Sequence, residues 1–232
     1  MKTIIEIGAN KGQDTEKFIK EPNTFLYCIE PVPYLIEELK KKYEDVKNIK
    51  LFQLAIDNFN GKSRFGLSAS YWPNSKSSYA CSSLNEFSDN IVNEWGNRPD
   101  FNMIEYIEVD VMTLKSFIEQ ENISQIDYLH CDSQGSDLNI LKSLGNKIDL
   151  IKKGRCEGFN TKTLYKNVDN SIHSILEFLE LNGFEIIQYI DGNNNIINNP
   201  IFGLTDEGKK YFPHNTEEID VVFEKKKLKK IN

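Results

Sequence analysis

The chain has 232 residues and a formal net charge of −7, and 27% of its residues are charged. This acidic balance argues against a protein that binds nucleic acid along a long track. The mean hydropathy is −0.48, and no run of about 18 apolar residues predicts a membrane span. The first residues lack the apolar stretch and cleavage site of a secretory signal, so we expect a cytoplasmic protein with no membrane insertion.

The four cysteines form no Cys-x-x-Cys pair, and three of them lie in apolar runs typical of strands. They are Cys28, Cys81, Cys131 and Cys156. Such thiols in a cytoplasmic protein are usually buried and free, with metal binding or a disulfide as the less favoured alternative. We therefore expect four buried free thiols.

Short β-branched runs alternate along the chain with segments of helical period. This alternation is typical of βαβ units around a mostly parallel sheet. The predicted strands are residues 3–7, 25–30, 49–56, 126–132, 150–158, 184–190 and 218–224. The predicted helices are residues 14–20, 33–43, 113–121, 136–144 and 171–183.

Three details of the helices follow from residue type. Ser136 is expected to cap the helix that follows it. In the helix at 171–183, an apolar stripe should face the core, and Asn182-Gly183 should end the helix. The predicted stripe is Ile172, Ile175, Leu176, Leu179 and Leu181.

Two stretches do not follow the α/β alternation. Residues 61–68 and 104–111 alternate polar and apolar side chains, as a half-exposed pair of strands would. Between them lies a polar, aromatic and serine-rich insert over about residues 68–103. Inserts of this length are often functional, so we place this one on the substrate side.

The first strand ends at IEIGANKG, residues 5–12, where a parallel α/β sheet binds its ligands. A dinucleotide fingerprint needs glycine at three positions that here hold Gly8, Asn10 and Gln13. Two of the three glycines are therefore missing, and no Gly-Lys-Ser/Thr of a phosphate-binding loop is present. This pattern disfavours an NAD-linked dehydrogenase.

The spacing that fits is acidic-x-Gly-x-x-x-Gly, made by Glu6, Gly8 and Gly12. Glycines let a ligand chain lie against the backbone, and a carboxylate can receive an ammonium group. Glu30 ends the second strand, 22 residues after Gly8. An acid near that offset accepts the hydroxyls of a ribose. A phosphate-free adenosine with an amino-acid tail is S-adenosylmethionine (SAM).

Several segments resemble the FkbM family of SAM-dependent methyltransferases over about residues 3–190. They are IIEIGANKGQDTEKF, CIEP, LAIDNFNGKSRF, ACSSL, VDVMTLKSFI, IDYLHCDSQGSDLNILKSL and GRCEGFN. The block at 126–144 is the most specific, because members commonly have I-D-x-x-K-I-D-x-E-G-x-E-x-x-x-L there. This chain departs from that pattern at His130, Gln134 and Asp137, where lysine, glutamate and glutamate are usual.

The resemblance implies an α/β protein with the Rossmann-like class I methyltransferase fold. This fold has a mostly parallel seven-stranded sheet, helices on both faces and an antiparallel last strand, here residues 218–224. We interpret residues 1–232 as one methyltransferase domain. Relatives usually carry a helix before the first strand, so this domain is open to being part of a longer protein. The sequence does not indicate an oligomeric state.

The motifs and the resemblance together predict the residues that bind SAM. Asp57 and Ser83 are included because the resemblance suggests that they close over the adenine; ordinary turn and loop roles are the alternative. The predicted cofactor-binding set is Glu6, Gly8, Ala9, Asn10, Gly12, Glu30, Pro31, Ala55, Ile56, Asp57, Ser83 and Asp132.

Methyl transfer from a sulfonium needs the acceptor oxygen, methyl group and sulfur in line, and a general base assists an unactivated hydroxyl. Asp132, His130 and Glu157 are the candidate bases, because they lie at or near the ends of the fourth and fifth strands. His130 could equally be a hydrogen-bonded histidine inside the sheet. A divalent metal held by Asp132 and Glu157 is a less favoured alternative.

The resemblance implies methylation of a hydroxyl, often on a sugar or glycan. Tyr71, Trp72 and Tyr79 in the insert are candidates to stack on a sugar ring, with coverage of the sheet edge as the alternative. Gln134 and Asn160 complete the predicted substrate-binding set. The alternative functions are methylation of a polyketide-type or other natural product, non-catalytic nucleoside binding, and RNA methylation, which the acidic charge disfavours.

Overall fold

The computed structural model describes residues 1–70, 79–198, 200, 202–212 and 217–227. In the first part of the chain the elements are β1 (Lys2–Ile7), α1 (Thr15–Phe18), β2 (Thr24–Ile29), α2 (Pro33–Lys42), β3 (Ile49–Phe52), β4 (Ala55–Ile56), β5 (Gly61–Ser68), α3 (Ile91–Trp95), β6 (Met103–Met112) and α4 (Leu114–Gln120). Then follow β7 (Tyr128–Cys131), α5 (Asp137–Ser143), a 3₁₀ turn (Gly145–Leu150), β8 (Lys153–Phe159), α6 (Ile172–Leu181), β9 (Phe184–Asp191), β10 (Gly203–Leu204), β11 (Lys210–Tyr211) and β12 (Glu218–Lys225).

The main sheet has seven strands in the order β3-β2-β1-β7-β8-β12-β9. The pairs from β3 to β8 are parallel, whereas β12 runs antiparallel to both β8 and β9. The main apolar core packs α4, α5 and α6 against one face, and a second cluster packs α2 against the other. The predicted fold, including the reversed strand at 218–224, is therefore confirmed.

The predicted strand at 49–56 is wrong as a single strand. β3 pairs with β2 in the main sheet, but β4 pairs with β6 in a separate three-stranded sheet. The chain therefore leaves the main sheet after Phe52, and Ala55 lies beside Val111 of β6. The other partner of β6 is β5, which runs antiparallel to it, so the strand pair predicted at 61–68 and 104–111 is confirmed.

The helices are short: the longest, α2 and α6, have ten residues each. No helix in the described part of the chain is long and apolar enough to cross a membrane. Four members of the predicted α6 stripe are buried, but Leu181 is 80% exposed, because it lies on the last turn and faces solvent. Asn182 is the C-cap and Gly183 has φ +76°, so the predicted helix end is confirmed.

The cysteines lie inside the protein. All four are free and buried, as predicted. Cys131 and Cys156 belong to the main core, and Cys28 belongs to the cluster on the opposite face of the sheet. They act as small apolar side chains, and burial raises the pKa of each thiol.

The turn after β1 passes close to the end of β7. Gly8 has φ +83°, and a Cβ atom there would overlap the carbonyl oxygen of Asp132. The Asp132 N–H donates to the carbonyl of Ile7, 3.0 Å away, and the N–H groups of Gly8 and Ala9 both donate to Ile29 of β2. The turn is thus fixed to both neighbouring strands, at the edge where a parallel sheet presents ligands.

We expect Gly8→Ala to lower the free energy of unfolding by about 3–5 kcal/mol, because it adds a backbone overlap to the cost of a positive φ. Gly208→Ala is the matched control, since Gly208 has φ +78° and a Cβ atom there would meet no heavy atom within 4 Å. The control should cost only about 1–2 kcal/mol. Urea unfolding measures both, and equal losses would contradict the close approach of the two strand ends.

Candidate active site

A cavity of about 330 Å³ opens at the carboxyl ends of β1, β2 and β7. The sequence-predicted residues that line it are Glu6, Gly8, Ala9, Asn10, Glu30, Pro31, Ala55, Ile56, Tyr79, His130, Asp132 and Gln134. The predicted residues that are described but lie outside the lining are Gly12, Asp57, Ser83, Glu157 and Asn160. Tyr71 and Trp72 lie outside the described residues.

Glu30 lines this cavity and comes directly after β2. One carboxylate oxygen accepts the N–H of Asn10 and the other accepts the N–H of Val32, each at 2.8 Å. Burial raises the pKa of Glu30 to about 7. Because a carboxylate oxygen can accept two hydrogen bonds, each oxygen keeps one site for a ligand hydroxyl.

One end of the cavity is apolar. Val32, Leu54, Ala55, Ile56 and Phe65 line it there. Val32, Ala55 and Phe65 also belong to the core cluster under the three-stranded sheet, which holds this wall in place. An apolar wall beside a carboxylate suits a flat base attached to a ribose.

The other end is polar and acidic, with Glu6, Gln13, Asp14 and His130. Glu6 is 1% exposed, and the Thr15 hydroxyl donates to its Oε2 at 2.6 Å. Burial, with a smaller contribution from Asp14, raises the pKa of Glu6 to about 7. This end can therefore hold a cationic group, which would favour the ionised form of the acids.

Asp132 follows β7, and its side chain is exposed to the cavity. The Gln134 amide Nε2 donates to Asp132 Oδ1 at 2.9 Å, and the Tyr165 hydroxyl donates to Gln134 Oε1 at 2.9 Å. Tyr165 is fully buried and its hydroxyl is also 3.0 Å from the carbonyl oxygen of Cys81. This chain of hydrogen bonds holds a carboxylate acceptor at the cavity wall.

Sequence reasoning missed Tyr165. It lies in the segment after β8, 31 residues from Gln134 and 84 from Cys81, and no local motif marks it. The backbone at Gln134 and Gly135 has φ of +55° and +98°, and a Cβ at Gly135 would lie 2.6 Å from the Tyr165 ring. The glycine of the SQGS segment, Gly135, is the sequence signal that another side chain packs closely against the backbone there.

Asp57 and Ser83 lie behind the wall. Asp57 accepts the Ser136 hydroxyl at 2.6 Å, and Ser83 donates its hydroxyl to the carbonyl of Gln134 at 2.7 Å. Both side chains therefore support the loop after β7. Ser136 is the N-cap residue of α5, as predicted, but its hydroxyl makes no cap hydrogen bond and donates to Asp57 instead.

Glu157 and Asn160 lie at the end of β8. Glu157 Oε2 is buried with no hydrogen-bond partner in the described structure. Burial, together with nearby acids of which Asp132 acts most strongly, raises the pKa of Glu157 well above its usual range. The Asn160 amide donates to the carbonyl of Phe212 at 2.8 Å and accepts its N–H at 2.7 Å, so it fixes the segment at Phe212.

A family model described as the methyltransferase FkbM domain matches residues 6–186. The chain belongs to the FkbM methyltransferase family. The fold, with its cavity at the carboxyl ends of the strands, agrees with membership of this family.

Two kinds of relatives add detail. The 2-O-methyltransferase NoeI of Sinorhizobium fredii (strain NBRC 101917 / NGR234) is 23% identical over 158 residues, which cover 64% of this chain and 59% of NoeI. This FkbM-family chain therefore spans about three-fifths of that curated relative. Among solved structures, an rRNA methylase from Streptococcus thermophilus has a TM-score of 0.47 and 9% identity, covering 97% of this chain and 87% of that chain. SMU.1697c from Streptococcus mutans, in complex with SAH, has a TM-score of 0.47 and 12% identity, covering 97% of this chain and 89% of that chain.

A metal centre in this FkbM-family chain would use the predicted pair Asp132 and Glu157. Within the described ranges, no group of three or more histidine, cysteine, aspartate or glutamate side chains is arranged to hold a metal ion. Glu157 lies outside the cavity lining, whereas Asp132 lies within it. The structure thus adds no third ligand to the predicted pair.

Glu6→Gln should change how stability depends on pH. The folded-state pKa of Glu6 is raised from 4.5 to about 7, so its contribution to stability is complete below pH 4.5 and is lost as the pH rises through 7. The wild type should therefore lose about 2–3 kcal/mol relative to Glu6→Gln between pH 5 and pH 8. Urea unfolding at several pH values measures this difference, and parallel curves for the two proteins would contradict it.

Proposed function

We propose that this chain is an O-methyltransferase that transfers the methyl group of SAM to a hydroxyl of a sugar or glycan. The observation that carries the proposal is Asp132, a carboxylate held by Gln134 at the wall of the cavity that suits SAM. A carboxylate at that place can accept the proton of a hydroxyl as the methyl group is transferred.

The shape and polarity of the cavity support one orientation of SAM. The apolar end takes the adenine, and Glu30 accepts hydrogen bonds from the ribose hydroxyls. The amino-acid tail then runs past the Gly8 turn to the acidic end at Glu6 and Asp14. In this orientation the sulfonium lies between Glu30 and Asp132, two acids that interact electrostatically.

The reaction is an in-line displacement. A lone pair of the acceptor oxygen forms a bond to the methyl carbon, and the carbon–sulfur bond breaks with its electron pair going to sulfur, which leaves S-adenosylhomocysteine (SAH). The hydroxyl proton passes to Asp132. Alignment of the reacting atoms can supply ~7–11 kcal/mol, and a general base adds roughly 10²–10⁴ in rate.

Gln134 supports the ionised form of Asp132. Its amide Nε2 donates to the carboxylate, while Tyr165 occupies its Oε1 and so favours this orientation of the amide. A glutamate, which is usual at this position in the family, could not donate in its ionised form. The substitution in this chain therefore suits an aspartate that receives a proton.

One observation favours a sugar as the acceptor, and a second favours an oxygen as the methylated atom. Tyr79 lines the cavity, and an aromatic ring can pack on a sugar ring. The curated relative NoeI is by name a 2-O-methyltransferase. RNA and natural-product hydroxyls are the competing acceptors, and the net charge of −7 disfavours a long RNA track.

Glu30→Ala should weaken SAH binding by roughly 10- to 100-fold, because hydrogen bonds to a charged carboxylate contribute ~1.5–3 kcal/mol. Isothermal titration with SAH measures the change. Glu37→Ala is the control, since Glu37 is exposed and pairs with Lys40 on the surface of α2. Unchanged SAH affinity in a folded Glu30→Ala protein would contradict the assignment of the ribose site.

Asp132→Asn should lower turnover by roughly 10²–10⁴-fold and leave SAH affinity within about twofold, because the amide keeps the shape but accepts no proton. The assay offers methyl-labelled SAM with neutral, amino and acidic sugars, oligosaccharides and total RNA. Asp110→Asn on the exposed part of β6 is the control. Full activity of Asp132→Asn would contradict its role as base, and label found only in RNA would contradict the sugar acceptor.

A further inference from the structure

His130 lies at the acidic end of the cavity, two residues before Asp132. In the parallel pairing of β1 and β7 it stands directly beside Glu6. Its ring packs edge-on against Phe18 of α1, with ring centroids 5.6 Å apart. These contacts place His130 on the α1 side of the sheet, away from the apolar end that suits the adenine.

The imidazole of His130 makes no hydrogen bond within the described residues, although the residue is only 6% exposed. Its Nδ1 is fully buried and has no partner among them. Buried polar atoms in native proteins are nearly always hydrogen-bonded, and an exception calls for a ligand or a functional reason. Nδ1 faces the protein interior, and the ring lines the cavity through its accessible Nε2, so a ligand there can bond to Nε2.

The side chains at the acidic end of the cavity determine which functional group of a ligand can bind there. Glu6 and Asp14 are acids, which accept hydrogen bonds when ionised and so suit an ammonium group. A ligand carboxylate that binds in the same place needs a hydrogen-bond donor from the protein. Burial lowers the pKa of His130, and a neutral imidazole still carries one N–H to donate.

We propose that His130 binds the carboxylate of the amino-acid tail of SAM through its ring N–H. This inference rests on the proposed SAM orientation and replaces the role of His130 as a candidate base. Glu6 and Asp14 would then face the ammonium of the same tail, while Phe18 fixes the plane of the imidazole.

The test compares two ligands that differ only in the carboxylate: SAH and its decarboxylated analogue, 5′-S-(3-aminopropyl)-5′-thioadenosine. Isothermal titration is run on the wild type, on His130→Phe, which keeps a flat ring without an N–H, and on His130→Asn, which restores a donor. His130→Phe should bind SAH roughly 10-fold or more weakly and bind the analogue within about twofold of wild type. His130→Asn should recover part of the SAH affinity.

Unchanged SAH affinity in His130→Phe, or an equal loss for both ligands, would overturn the proposal. His173→Phe is the matched control, because His173 lies on α6, outside the cavity lining. A carboxylate-dependent loss of the same size in His173→Phe would overturn it as well. If His130→Phe does not fold, His130→Asn and His130→Ala carry the same comparison. Failure of the wild type to bind SAH at all would instead count against the proposed function.

Discussion

The site depends on the contact between the backbone turn after β1 and the end of β7. A side chain at Gly8 would overlap the carbonyl of Asp132, and the N–H of Asp132 bonds to Ile7. One close approach therefore sets both the floor of the cavity and the position of the carboxylate. Glu30 is linked to the same turn through the N–H of Asn10, so the three strand ends form one unit.

The second constraint is the burial of acids. Glu6, Glu30 and Asp137 are each nearly inaccessible to water, and burial raises the pKa of each to about 7. Holding such carboxyls inside the protein costs stability at neutral pH. Asp137 has its own donors in Ser133 and Glu157, whereas Glu6 and Glu30 line the cavity, where the sulfonium, ammonium and ribose hydroxyls of SAM would supply charge and further donors. This complementarity accounts for a polar cavity in a sheet whose two faces are otherwise apolar.

Local patterns in the sequence predicted the order of elements well, because βαβ units repeat a simple period. They also led to Gly8, Glu30 and Asp132, which occur at strand ends. They failed where a distant contact decides the outcome. The run at 49–56 reads as one strand, but β6, some 50 residues later, draws Ala55 into another sheet. Tyr165 reaches Gln134 only through the fold, so no spacing in the sequence could indicate it.

Asn10 and Gln13 replace two glycines of a dinucleotide turn, and on that ground we propose that the site of Gly8 and Glu30 takes SAM in preference to a dinucleotide. The most direct measurement of this preference is isothermal titration of the wild-type chain with SAH and, in parallel, with NAD. We expect SAH to bind at one molecule per chain and NAD to give no binding heat. Binding of NAD without binding of SAH would contradict the assignment of the site.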